Sequence, residues 1–369
     1  LDAYLIGFVE RTAGQAGWPL NVFLAPAGYP LLGLTYAPPK EFRALLERVV
    51  KAWSEQSAEL SELARRAALE RAEAGSETAA EPMARVSADA LASALRRQAL
   101  LIGDELAGGF GNQARFPMAP NLSVLLELQA RAPDEELAAF LRLTLDAMAN
   151  RGLRDHLGGG FFRYTVDPDW QTPHFEKMLY TQALLAPLYL RAAVVLERPG
   201  YRQVARDTLD FLIAEMAGDE GAYIASLSAV DAQDVEGGYY LWRGDELARL
   251  LTEGERRLLA LVWGLEGPSE HAAGLLPMRE KAPAGAATSL GIDAAEADLL
   301  FAQARTKLLE VRRQRGLPRD DKQLAGWNGL ALSALVAGAR ELELERYRQA
   351  ASALRDYLVE RLWDGERLH

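Results

Sequence analysis

The stretch "DHLGGGFFRYTVDPDWQTPHFEKMLY", residues 155–180, holds two of the chain's four histidines, His156 and His174, with Asp155, Glu176, Lys177, Trp170 and three consecutive glycines. Gly158 to Gly160 permit φ > 0 and close backbone approach, so the chain turns sharply from a helix into an aromatic segment whose Phe161 and Tyr164 point back into a core. Asp155 and His156 then stand at a helix end, and His174 with Glu176 follow Pro173 at a helix start. A histidine at a helix N-terminus has its cationic form disfavoured by the helix dipole, which leaves a neutral imidazole able to act as a base. The competing assignment is structural: His174 caps a helix and His156 bonds a carbonyl. Asp155, His156, His174 and Glu176 would supply nitrogen and oxygen ligands to a metal. Neither an H-x-x-x-H nor an H-E-x-x-H spacing is present, however, and no metal or other cofactor is expected.

The same turn recurs along the chain. An amphipathic helix ends in an acidic-glycine turn followed by an aromatic in "GDELAGGFGN" (103–112), "RDHLGGGFFRY" (154–164) and "GDEGAYIASL" (218–227), with a weaker fourth in "WDGERLH". Between these turns lie helix pairs at 121–132 with 134–150, 174–196 with 201–217, and 326–341 with 345–362. One amphipathic pair cannot bury its own apolar face, so repeated pairs imply an assembly. The irregular spacing of Phe110, Phe161 and Tyr223 argues against a uniform solenoid and favours hairpins closed into a ring with long loops at one end. About eight to ten helices are readable, fewer than the twelve of a six-hairpin ring.

The head of the chain is different. Residues 18–36 read as two short strands joined by "APAGYP", and Pro39 introduces a long helix over about 40–74. The Ala/Glu/Ser stretch at 76–87 reads as a linker. The chain begins without methionine inside an amphipathic helix (Leu1, Leu5, Phe8, Val9) and stops just after a turn, so both ends are expected to be truncations. A net charge of −11 over 369 residues argues against nucleic-acid binding, and no basic amphipathic run or spanning segment points to a membrane. A cytoplasmic location is expected. With no cysteine, the chain has no disulfide and no thiolate chemistry of its own.

The motifs "GQAGWPLNVFLAPAGYPLLGLTYAPP", "DHLGGGFFRYTVDPDWQTPHFEKMLY" and "RDDKQLAGWNGL" resemble one family, the proteins related to spermatogenesis-associated protein 20. These join a thioredoxin-like domain to a six-hairpin toroid of the glycosidase and N-acylglucosamine 2-epimerase type. The resemblance implies a mainly α chain in which residues 1–75 are the second half of a thioredoxin-like domain, 76–87 a linker and 88–369 an incomplete hairpin toroid. It also implies a cis-proline at Pro19, where such folds place one beside a redox site. Family members carry a Cys-x-x-Cys-type motif upstream of that point, and without a thiol this unit performs no dithiol exchange.

Two further clusters complete the candidate site. In "SLSAVDAQDVEGGYYLW" (226–242), Asp231, Asp234 and Glu236 lie on a loop beside Tyr239, Tyr240 and Trp242. Carboxylates near exposed rings suit carbohydrate; a solvated acidic loop is the alternative. In "RDDKQLAGWNGLALSAL" (319–335), Asp320 and Asp321 precede a helix with Trp327 and Asn328 on its first turns, and one of the two aspartates is a natural N-cap. Arg319 would lower both carboxylate pKa values. The loop-rich 267–297 reads as a flap, with His271 unassigned. The expectation is a carbohydrate-active protein binding a sugar or glycoconjugate. Its catalytic groups would come from His174, His156, Asp155, Glu176 and Asp321, and its binding groups from Asp231, Glu236, Lys322, Trp327, Asn328, Trp170 and Tyr240. Epimerisation would use His174 or His156 as base, and hydrolysis two carboxylates. A non-catalytic binding protein, or an adaptor with a redox partner through the thioredoxin-like unit, is the rival.

Overall fold

A computed structural model describes residues 2–14, 17–77, 87–269 and 271–368, so most of the expected linker lies outside the described residues. The chain divides into two compact units, Leu1–Ser87 and Ala88–His369.

In the first unit α1 (Asp2–Ala13) packs on a hairpin of β1 (Asn21–Leu24) and β2 (Pro30–Leu34), followed by α2 (Pro39–Glu77). Asn21 pairs with Leu34 and Phe23 with Leu32, antiparallel. Pro39 opens α2 at its first position, where its missing N–H costs nothing. The Trp18–Pro19 bond is cis. Gly33 lets α1 sit on the hairpin: a Cβ there would lie 2.3 Å from Val9 Cγ2.

The second unit contains, in order, α3 (Ala88–Ile102), α4 (Ala119–Arg131), α5 (Glu135–Asn150), β3 (Tyr164–Thr165), β4 (Pro173–His174), β5 (Lys177–Met178), α6 (Leu179–Val195) and α7 (Tyr201–Glu215). It continues through β6 (Ser226–Leu227), α8 (Gly244–Leu250), α9 (Glu253–Trp263), α10 (Pro283–Leu290), α11 (Ala294–Arg313), β7 (Arg319–Asp320), α12 (Ala325–Leu342) and α13 (Glu345–Tyr357). Helices α4, α6 and α12 lie side by side as an inner row, each backed by the helix that follows it in its pair, α5, α7 and α13. This is an arc of an α-hairpin toroid. Helix α6, "LYTQALLAPLYLRAAVV", is apolar on every side because inner neighbours flank it and α7 covers its back.

The repeated turns have one geometry. Backbone bridges close Gly103 on Phe110, Arg154 on Phe161, Ala217 on Tyr223 and Trp363 on Leu368. In three of the four, an aspartate Oδ1 (Asp104, Asp155, Asp364) accepts two amides of its own turn. Strands β5, β6 and β7 form one small antiparallel sheet. Because β5 leads into α6 and β7 towards α12, the sheet gathers the N-terminal ends of two inner helices with the loop after α7.

Two expectations change. Helix α6 starts at Leu179 rather than 174, because Pro173–His174 pairs as a strand with Tyr164–Thr165. His174 therefore receives no helix-dipole field. The 267–297 segment is not all loop: Pro283 starts α10 and the left-handed Gly291 (φ +69°) ends it.

Candidate functional site

Asp155 is engaged on every side by the protein itself. It lies at the centre of a buried charge cluster, where Arg312 from the end of α11 grips its carboxylate with both terminal nitrogens and Lys177 Nζ donates at 2.7 Å. All three side chains are almost wholly buried. Burial alone would raise the Asp155 pKa, but the charges of Arg312 and Lys177 outweigh it and hold the carboxyl well below the usual range. The same burial lowers Lys177 to about 8 even with Asp155 beside it. One carboxylate against two cations leaves a surplus positive charge, and ring faces take it up: Phe211 lies 4.2 Å from Lys177 Nζ and Tyr240 4.5 Å from the Arg312 guanidinium. Asp155 and Tyr240, expected as catalytic and sugar-binding groups, are thus parts of the framework. Lys177 also donates to Gly159 O at 2.8 Å, which fixes the glycine turn.

His174 lies in a different setting. Its ring stacks on Tyr164 at 5.0 Å, and Tyr164 stacks on Phe116 at 4.6 Å. Nδ1 is 3.4 Å from Glu236 Oε1 and Nε2 is 3.8 Å from Glu176 Oε2. Glu176 is held by Arg163 at 2.8 Å. Arg163 lies beside Tyr180, whose ring meets Trp327 edge-on at 5.0 Å. The result is a continuous, partly exposed strip running from Phe116 through His174 to Trp327. Its parts come from the loop before α4, the β3–β4 hairpin, the first turns of α6 and α12, and the 228–237 loop. Sequence reading identified His174, Glu176, Glu236 and Trp327; it missed Phe116, Tyr164 as a ring platform, Arg163 and Tyr180. The signal for the last was positional, since Tyr180 and Trp327 occupy the first turns of adjacent inner helices.

The other expected residues do not join this strip. Trp170 is fully buried, and its indole N–H donates to Ala107 O at 3.1 Å, tying the β3–β4 loop to the first of the repeated turns. Asn328 is buried and clamps Tyr223, accepting its amide at 2.8 Å and donating to its carbonyl at 3.0 Å. Asp231 caps its own loop, accepting the amides of Gln233 and Val235 at 2.9 and 3.0 Å. Asp321 and Lys322 are exposed and paired with sequence neighbours, to Arg319 at 3.3 Å and Asp320 at 3.1 Å. Neither aspartate caps α12, whose N-cap is Leu324. Trp242 is buried, so it offers no ring to a sugar.

His156 turns to a separate cavity of about 580 Å³ between α7, α9 and α11. Its Nε2 lies 3.1 Å from the Arg151 carbonyl. Burial and the nearby Arg154 charge lower its pKa to about 3, so the ring is neutral and Nε2–H is the donor to that carbonyl. Among the described residues no cluster of three or more histidine, aspartate or glutamate side chains is arranged to hold a metal ion, and no helix is long and apolar enough to cross a membrane.

Residues 1–70 match a family model for a DsbH-type thioredoxin domain, described as a protein of unknown function, DUF255. Human spermatogenesis-associated protein 20 is 31% identical over 403 residues, covering 99% of this chain and 51% of that protein. An uncharacterized Caenorhabditis elegans protein is 29% identical, covering 100% of this chain and 54% of its own length. Solved structures resemble the chain more distantly. Cellobiose 2-epimerase from Spirochaeta thermophila has 15% identity and a TM-score of 0.34, covering 78% of this chain and 89% of that one. A family 76 glycoside hydrolase from Bacteroides thetaiotaomicron has 11% identity and a TM-score of 0.38, covering 68% and 36%. The chain spans about half the length of the curated relatives it matches. Along its whole length it is homologous to spermatogenesis-associated protein 20, with a thioredoxin-like region at its head.

Proposed function

We propose that the His174 strip is a carbohydrate site in which His174 acts as a proton-transferring base on a reducing sugar. The observation that carries this is an imidazole set between two carboxylates and flanked by partly exposed rings. The Glu236 carboxylate beside Nδ1 favours the tautomer with Nδ1 protonated, leaving the Nε2 lone pair as the base. Phe116 and Trp327 would stack on the apolar faces of sugar rings, while Arg163 offers N–H donors to hydroxyls.

Proton abstraction next to a carbonyl fits this set better than glycoside hydrolysis. Hydrolysis needs one carboxyl kept protonated as the acid. The Glu176 carboxyl is occupied by the Arg163 guanidinium at 2.8 Å rather than free to reach a glycosidic oxygen. The test is deuterium exchange. Reducing mono- and disaccharides are incubated with the chain in D2O, and the proton on the carbon next to the carbonyl is followed by NMR. Exchange should fall by roughly 10²–10⁴-fold in His174→Ala, the usual contribution of a positioned base. The melting temperature should change little, since the His174 side chain is partly exposed. Sugar binding without exchange in the unaltered chain would favour a non-catalytic binding protein. A large loss of stability in His174→Ala with sugar binding intact would make His174 structural.

A further inference from the structure

The cavity beside His156 is distinct from the His174 strip and carries an unusual charge pattern for a chain of net charge −11. Five cations line it: Arg154, Arg279, Lys281, Arg305 and Arg313. The acids on its wall are already engaged. Asp207 pairs with Arg154, and Asp210 with Arg346 of α13 at 2.7 Å. Glu215 lies 4.0 Å from Arg313, and Asp155 is neutralised by Arg312 and Lys177. Among the described residues Arg279, Lys281 and Arg305 pair with no carboxylate, so three positive charges remain around one concavity. Arg154 is buried, and its Nε–H has no hydrogen-bond partner. The charge of Arg279 bears on both Arg154 and His156, so the cations crowd one another. Phe301, backed edge-on by the buried Trp263 at 4.9 Å, gives the same cavity an apolar wall.

Like charges held at one cleft cost stability unless a counter-charge enters, and a cleft of one sign concentrates ligands of the other. The volume falls within the range of small-molecule sites, roughly 300–1,000 Å³. We propose that this cavity binds a small polyanion, a molecule with clustered phosphate or carboxylate oxygens. The oxygens would be received by Arg279, Lys281 and Arg305 with the inner Arg154, and the ligand's uncharged body would lie against Phe301. Neutral His156 would add an uncharged hydrogen-bonding group.

The test is calorimetric titration of the chain at low salt with pyrophosphate, inorganic phosphate and citrate. Tighter binding of pyrophosphate identifies a phosphate-bearing ligand, and tighter binding of citrate a polycarboxylate. Either supports the site. Arg279→Glu, Lys281→Glu and Arg305→Glu, all at exposed positions, should each weaken the dissociation constant by roughly tenfold or more, the worth of one charge-assisted bond. Arg249→Glu, on α8 outside the cavity, and His174→Ala should leave it unchanged. Failure of all three anions to bind overturns the proposal. So does equal weakening by Arg249→Glu, which would reduce binding to diffuse surface charge.

Discussion

Asp155→Asn isolates the buried charge cluster from the turn it caps. Asparagine keeps the shape and the Oδ1 that accepts the Leu157 and Gly158 amides at 3.1 and 3.0 Å, so the glycine turn stays capped. What disappears is the carboxylate charge that pairs directly with both Arg312 and Lys177. Arg312 cannot shed its proton, and removing one partner of a buried pair costs about 3–5 kcal/mol. Lys177 can shed its proton. Its folded pKa is about 8 with Asp155 present, and without it falls further, so at pH 7 the variant's lysine is neutral. That adds no more than about 1.4 kcal/mol, one pH unit of proton release. The sign of the pH dependence follows. Between pH 7 and 8 the variant's unfolded state holds a proton that its folded state has lost, so its stability rises with pH there. The unaltered chain gains nothing from Lys177 over that interval, because both of its states are protonated. The deficit should therefore be about 4–6 kcal/mol at pH 7, the sum of the two, and about 3–5 kcal/mol at pH 9, where the lysine contribution has gone. Urea unfolding at the two pH values measures it. A deficit below about 1 kcal/mol at pH 7, or one that does not narrow by pH 9, would refute the cluster's energetics.

Gly160→Ala should cost about 2–4 kcal/mol, because φ is +73° and the new Cβ would lie 2.5 Å from Phe211 Cδ1. Gly200→Ala, with nothing within 4 Å, should raise the melting temperature slightly, as a gain of about 0.4–1 kcal/mol. Asn328→Ala leaves both backbone groups of buried Tyr223 without their clamp and should cost about 2–4 kcal/mol, with faster hydrogen exchange at that amide. His156 has a folded pKa of about 3 against 6.5 when unfolded, so its contribution is complete above pH 6.5 and is lost as pH falls. From pH 6.5 to 4.5 that loss is at most about 2.7 kcal/mol; His156→Asn should remove that part of the acid dependence, read by urea unfolding across the interval.

Local signals were legible where they alone dictated the backbone. The acid-glycine turns recur because a left-handed pair such as Gly159–Gly160 (φ +84° and +73°) must follow an aspartate whose carboxylate satisfies the turn's amides. Both requirements are written within six residues. The hairpin 21–34 and the Pro39 helix start were legible for the same reason. The start of α6 was not. Helical periodicity continues upstream through Phe175 and Lys177, but pairing of Pro173–His174 with Tyr164–Thr165 and of Lys177–Met178 with Ser226–Leu227 overrides it. Arg312 was invisible as a partner of Asp155, 157 positions away, because in sequence it belongs to an ordinary basic helix end.

The two histidines of the opening motif show why closeness in sequence did not become closeness in space. The glycine turn reverses the chain immediately after His156, and the β3–β4 hairpin then carries the backbone on to His174. Lys177 follows and returns to Asp155 and Gly159, sealing the turn from inside. The motif therefore builds a partition. A buried charge cluster occupies its centre, the cationic cavity adjoins His156, and the aromatic strip adjoins His174. The repeated turns at Gly103–Phe110 and Ala217–Tyr223 have the same backbone bridge but different closures: Asp104 with Arg115 in the first, Asn328 clamping Tyr223 in the other. Only the 155–180 version spends a lysine, an aspartate and a distant arginine on it. That concentration of buried charge lies within the motif that supplies His156 to the cavity and His174 to the strip, so Asp155→Asn should disturb both the anion titration and the sugar exchange. His174→Ala and Arg279→Glu should each disturb only one.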